Sequence, residues 1–189
     1  VIFEWDPVTN QYLKKKDFNE AEGRVPQGNL TLYNNKLYGM TSKGGDYGRG
    51  VIFEWDPATN AYTKKIDFNG IDGAMPTGSL LMNNGKFYGM TSEGGANTSG
   101  VIFEWDPATN IYTKKNDFKF YETGGYPLGS LILYGNLFYG MTSRGSTGHM
   151  DSNLGGTIFM WEPLNNEINN LTNFWSGIGD NPIGDLAAI

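Results

Sequence analysis

Val1-Ile2-Phe3-Glu4-Trp5-Asp6-Pro7 recurs as Val51–Pro57 and Val101–Pro107, then in a looser form as Thr157-Ile158-Phe159-Met160-Trp161-Glu162-Pro163. The first three copies start 50 residues apart, and the fourth starts 56 residues after the third. Self-similarity at such a period means that one supersecondary unit is used repeatedly. Residues 1–189 therefore read as a single repeat array, with units starting near 1, 51, 101 and 157. Whatever chemistry the chain has must lie where the copies differ, or arise from the array as a whole.

Each copy alternates as a strand does. Val51, Phe53 and Trp55 face one way, and Ile52 and Glu54 face the other. Both faces are largely apolar, as in a sheet packed between neighbouring sheets. Working outward in one unit, this strand (c) is Val101–Trp105, and strand d is Tyr112–Phe118. Strand a is Gly78–Met82, and strand b is Lys86–Thr91. All are rich in β-branched and aromatic residues and bounded by Gly, Pro, Asn or Asp. Asn84-Gly85 suits the tight a–b hairpin, and Asp106-Pro107 with Asn110 suits the c–d turn. On strand d, Tyr62, Lys64, Ile66 and Phe68 are expected on one face, with Thr63, Lys65 and Asp67 opposite. Four antiparallel strands per repeat of this length indicate an all-β fold of β-propeller blades, with the lysine-bearing strand d outermost.

The strand sequence runs c–d, then a–b–c–d three times, and ends on a further strand a at residues 184–189. One strand b is missing for four complete blades. That count points to an arc of a larger propeller, the alternative being a four-bladed ring with one three-stranded blade. The chain also opens inside a repeat without an initiator methionine, which suggests a mature fragment or a piece of something longer.

The bulk properties exclude several classes. A net charge of -6 and a pI near 4.7 oppose nucleic-acid binding, which needs a basic footprint. No apolar run is long enough for a transmembrane segment. The chain has no cysteine, which removes disulfides, thiolate nucleophiles and thiolate metal sites. No phosphate-binding loop, serine elbow or calcium loop is present, and no cofactor is called for.

The combination Leu37-Tyr38-Gly39-Met40-Thr41-Ser42, Gly44-Gly45 and Gly50-Val51-Ile52-Phe53 resembles the GloVer tandem repeat of bacterial "choice-of-anchor" proteins. The resemblance covers essentially the whole chain. It departs at Met40, Met90 and Met141, where the family usually has Thr. It implies an exported array, secreted or at the cell surface and anchored to the envelope through a part outside these residues. It implies no established activity.

The remaining information lies in the loops. The short a–b and c–d turns would share one face of a propeller, and the longer, divergent b–c and d–a connections the other. Variation on one face of a repeat scaffold marks a presenting surface, unless the loops simply drift. Tyr47, Arg49, Tyr121, Tyr126, Arg144 and Trp175 on that face are stacking or forked-donor groups suited to a glycan or protein ligand. The one histidine, His149, sits beside Asp151 in the longest insertion; it reads as a solvated loop residue rather than a metal ligand, and it joins the ligand-binding candidates of that face. The tryptophan of each copy reads as blade packing. The sequence thus favours a binding or adhesion module, with a structural spacer as the alternative. A propeller hydrolase or lyase ranks below both, because the chain has a single histidine, although carboxylate pairs would still allow one.

Overall fold

The computed structural model describes residues 1–145, 155–175 and 179–188. Among them every regular element is a strand. β1 (Ile2–Asp6) and β2 (Gln11–Lys16) form a two-stranded sheet. In the second sheet β3 (Arg24–Pro26) and β4 (Thr31–Tyr33) both pair with β5 (Lys36–Lys43), followed by β6 (Val51–Asp56) and β7 (Ala61–Asp67). The third runs β8 (Leu81–Asn83), β9 (Lys86–Thr91), β10 (Val101–Asp106) and β11 (Ile111–Asp117). The fourth runs β12 (Ile132–Tyr134), β13 (Leu137–Thr142), β14 (Thr157–Glu162) and β15 (Glu167–Asn173). Neighbours are antiparallel throughout, and the lysine-bearing strands β7 and β11 lie at their sheets' edges. These are blades of a β-propeller.

Adjacent blades bury one another's faces. Tyr38, Met40 and Ile52 pack against Phe87, Val101, Phe103 and Trp105 of the next blade. Tyr88, Met90 and Ile102 do the same against Phe138, Phe159 and Trp161. The Val-Phe-Trp face of the recurring strand thus looks toward the preceding blade and the Ile face toward the following one. The indoles of Trp55, Trp105 and Trp161 are large apolar bodies in the core, as expected of packing residues, whereas that of Trp5 is 54% exposed.

The structure corrects strand d. Ile52 pairs with Ile66 but Phe53 pairs with Lys64, leaving Lys65 as the extra residue of a β-bulge. The bulge shifts the alternation: Asp67 joins Tyr62 and Lys64 on one face, while Ile66 joins Thr63 on the other. Lys65 reaches Glu54 at 3.2 Å, and Lys64 reaches Asp67 at 2.9 Å. The same slip leaves Lys15, Lys115 and Leu171 over in β2, β11 and β15.

Strand a is shorter than expected, forming only at Leu81–Asn83 in the third blade. The residues before it are taken up by contacts with the neighbouring blade. A Cβ on Gly28 would lie 2.2 Å from Gly78 O, one on Gly78 2.2 Å from Gly129 O, and one on Gly129 2.2 Å from Gly184 O. Beside them Asn29 N donates to Ser79 Oγ at 2.8 Å, Ser79 N to Ser130 Oγ at 2.9 Å and Ser130 N to Asp185 Oδ1 at 2.5 Å. Residues 184–188 occupy this inner position and form no strand.

The described strands do not pair between the first and the last blade. Among the described strands β1 pairs only with β2, and nothing lies within 4 Å of where a Cβ on Gly184 would sit.

Candidate functional site

The two kinds of long connection share one face. Gly45 N donates to Glu20 O at 2.7 Å and Gly95 N to Gly70 O at 2.8 Å, so these two b–c loops are each tied to the d–a connection before them. Tyr62 and Tyr112 reinforce this, their hydroxyls donating at 2.5 Å to the carbonyls of Glu22 and Asp72. Burial pushes both phenols well above their ordinary pKa, so they remain donors.

Each d–a connection carries a non-glycine residue in the left-handed region. Val25, Met75, Tyr126 and Asn181 have φ of 60°, 53°, 56° and 48°. Such backbone costs about 1–3 kcal/mol per residue and persists only when its surroundings hold it. Here they do. The N–H groups of Met75, Tyr126 and Asn181 donate to Arg49 O, Ser99 O and Gly155 O of the preceding blade at 2.9–3.0 Å. Ser42, Ser92 and Ser143 donate to the carbonyls of Val25, Met75 and Tyr126 at 3.0, 2.7 and 2.7 Å. The outcome is a fixed backbone position whose side chain changes from blade to blade. Sequence reasoning found only Tyr126 of the set. The available signal was the proline that follows each member, since a residue before proline avoids the ordinary helical region.

Of the residues chosen from sequence, Tyr121, Tyr126 and Arg144 come together. Phe120, which sequence reasoning missed, lies between the tyrosines, 5.0 Å from Tyr121 and 6.1 Å from Tyr126. The Arg144 guanidinium sits 6.0 Å from the Tyr126 ring centroid, a cation–π distance. Tyr121 is 66% exposed. Tyr47, 62% exposed, and Arg49 lie on the second blade's loop, apart from this cluster. Trp175 is 39% exposed and forms a backbone bridge with Gly179. His149 and its neighbour Asp151 lie outside the described residues.

Arg49 instead lines a cleft of about 500 Å³ with Asn69, Ile71, Glu93, Thr98 and Lys114. Its origin is one change between copies. In the second blade Lys64 bridges Asp46 at 2.7 Å and Asp67 at 2.9 Å. Burial works against that charge, but the two carboxylates more than offset it and hold Lys64 above its ordinary pKa. The third blade has Ala96 where the second has Asp46, so Lys114 keeps Asp117 at 3.1 Å and donates to the Ile71 carbonyl at 3.3 Å, with no second carboxylate. Opposite charges and an amide in one recess suit hydroxyl or peptide groups. Among the described residues no three His, Cys, Asp or Glu side chains are grouped to hold a metal ion.

Glu54 and Glu104 serve structure. Glu54 accepts from Lys36 at 2.7 Å and Tyr38 at 2.9 Å, and Glu104 accepts from Lys86 at 2.6 Å and Tyr88 at 2.9 Å. In the fourth blade the equivalent set is Leu137, Tyr139, Met160 and Leu171, so the ionic group is replaced as a unit.

The Gloeobacter/Verrucomicrobia repeat model matches residues 1–188. The chain belongs to that family. No curated protein matches this Gloeobacter/Verrucomicrobia repeat chain. Among solved structures it is similar to a chain of a nidogen/laminin complex, with 12% identity and a TM-score of 0.62, covering 93% of this chain and 55% of that one. It is also similar to TolB from Acinetobacter baumannii, with 14% identity and a TM-score of 0.54, covering 90% of this chain and 37% of that one. The repeat chain therefore spans about half the length of the first and little more than a third of the second. At such identities the likeness establishes the propeller fold alone.

Proposed function

We propose that this propeller module binds a glycan through its loop-bearing face, outside the cell or at its surface. The observation that carries the reading is the cluster of Phe120, Tyr121, Tyr126 and Arg144, in which an exposed tyrosine and a guanidinium flank a strained, firmly held backbone position. Aromatic faces stack on sugar rings, while arginine forks hydrogen-bond hydroxyl and carboxylate groups. The neighbouring cleft of Arg49, Glu93 and Lys114 adds polar partners on the same face. A purely structural spacer would gain nothing from leaving Tyr47 and Tyr121 in solvent. A net charge of -6 disfavours anionic polymers and favours neutral or amino sugars.

The test is a glycan array probed with the intact chain and with Tyr121→Ala and Arg144→Ala. Binding to a restricted set of glycans, weakened at least tenfold by either substitution, is the expected result. No binding at high protein concentration, or binding indifferent to both substitutions, sinks the glycan reading. In the first case, capture of a protein ligand through the same residues becomes the reading to pursue.

A further inference from the structure

We propose that the cleft between the second and third blades binds small zwitterions of the free α-amino acid class. Arg49 and Lys114 take the carboxylate, and Glu93 takes the ammonium. Binding here does not draw on the Tyr121–Tyr126 cluster, so it holds whether or not that cluster takes a sugar.

The cleft belongs to the two blades that have a neighbour packed on either side. Four of its residues depart together from their counterparts. Gly44 bridges Arg49, where Gly94 bridges Ser99 and Gly145 bridges Gly155, so this loop alone of the three puts a guanidinium there. Glu93 pairs with Ala74, where Lys43 pairs with Arg24 and Arg144 with Gly125, so an acid stands in place of a base. Ala96 replaces Asp46 and leaves Lys114 with one carboxylate. Gly70 accepts from Gly95 as Glu20 accepts from Gly45, and its lack of a side chain makes room for arginine. A Cβ on Gly70 would lie 3.0 Å from Arg49 Nε and 3.1 Å from Arg49 Cζ, so the guanidinium rests against bare backbone.

The charges brought together in this way do not satisfy one another. Neither the Arg49 guanidinium nor the Glu93 carboxylate has an ion-pair partner among the described residues, although both line the one cleft. A guanidinium fork matches a carboxylate, and a carboxylate accepts from an ammonium. A simple anion in the cleft would face Glu93, and a simple cation would face Arg49 and Lys114. Like charges set side by side are costly, so the ligand that fits carries both signs. No aromatic ring is among the described lining residues, so charge rather than stacking selects the occupant. Ile71, 73% exposed, and Ala96 leave apolar surface for an aliphatic side chain. The volume of about 500 Å³ accommodates a free amino acid with room for water.

The probes are L-alanine and L-leucine, titrated into the intact chain by calorimetry and followed at the backbone amides by NMR. The expected result is saturable binding of one molecule per chain, with shifts centred on residues 49, 69–71, 93–98 and 114. L-Leucinamide lacks the carboxylate and N-acetyl-L-leucine lacks the ammonium, and each should bind about tenfold more weakly or worse, the usual loss for one charged hydrogen-bonding partner. These ligand changes leave the protein unaltered, so misfolding cannot produce the difference. Arg49→Gln should weaken leucine by a similar factor but leucinamide little, because leucinamide has no carboxylate to lose. Glu93→Gln should do the same for leucine and spare N-acetyl-leucine. Tyr121→Ala should leave leucine binding unchanged, which separates this site from the glycan cluster. The proposal is overturned by absence of saturable binding of both amino acids, by equal binding of the blocked forms, or by shifts centred elsewhere. Loss of glycan binding with leucine binding retained sinks the glycan reading and leaves this one standing.

Discussion

Gly78 approaches Gly129 so closely that a Cβ on Gly78 would lie 2.2 Å from the Gly129 carbonyl oxygen. No side-chain rotation relieves such a clash, because the obstacle is backbone. Gly78→Ala is expected to destabilise the chain by about 2–3 kcal/mol, within the range for overpacking. Gly184→Ala, at the open end of the same series with nothing within 4 Å, should be close to neutral. Urea denaturation of both variants checks the contrast.

The Trp105 indole N–H donates to Asn110 Oδ1 at 3.1 Å, and Trp161 and Asn166 make the same contact at 3.1 Å. In the second blade the buried Trp55 Nε1 has no partner. Asn60 and Asn110 share the left-handed backbone, with φ of 58° and 59°, so alanine costs the same conformational energy at both. Asn110→Ala should therefore lose about 1 kcal/mol more than Asn60→Ala, the usual worth of one hydrogen bond. Paired thermal melts measure that difference.

Acid should unfold the chain partly through Glu54 and Glu104. Burial pushes both carboxyls up, but hydrogen bonds from Lys36 and Tyr38, and from Lys86 and Tyr88, more than offset it and hold both below 4.5. A carboxyl lowered in the folded state contributes stability above its unfolded pKa and loses it as pH falls through the folded value. Stability is expected to hold above about pH 5 and to fall below about 4.5. Glu104→Gln should flatten that decline, read as the melting temperature between pH 6 and pH 3.

Ala96→Asp should rebuild in the third blade the bridge that Asp46 makes with Lys64 in the second. The ion pair is partly exposed, so the expected gain in stability is under about 1 kcal/mol. Its larger effect should be to fill the cleft of Arg49 and Lys114 and reduce any glycan affinity that depends on it. The array experiment with this variant separates the cleft's contribution from that of the Tyr126 cluster.

The blade was legible because its signals are local. Asn-Gly hairpins, Asp-Pro turns and strict alternation around Trp55 and Trp105 each need only a few neighbouring residues to be read. The bulge was hidden because Lys64-Lys65 offers the same side chain to either face, so the pattern does not register a slip. The left-handed backbone of Val25 and Met75 was hidden because glycine usually marks such positions. The cleft rests on the absence of one carboxylate at Ala96, and that absence gains meaning only when Lys114 is seen across the loop. Tyr121, Tyr126 and Arg144 were chosen separately by residue type; that they converge, with Phe120 between the tyrosines, is a product of the fold.

The surplus residue in every outer strand has a consequence for life in crowded company. A propeller blade ends in a strand with unpaired backbone groups, and an array offers several such borders along one molecule. Flat borders would zip onto those of neighbouring molecules and nucleate fibres. A bulge coils the border out of plane, and in three of the four blades the surplus residue is a lysine, Lys15, Lys65 or Lys115. The fourth has Leu171 there, 53% exposed. That border is the least protected against sticking, so a single charge at position 171 is the change most suited to keeping concentrated solutions of this chain clear.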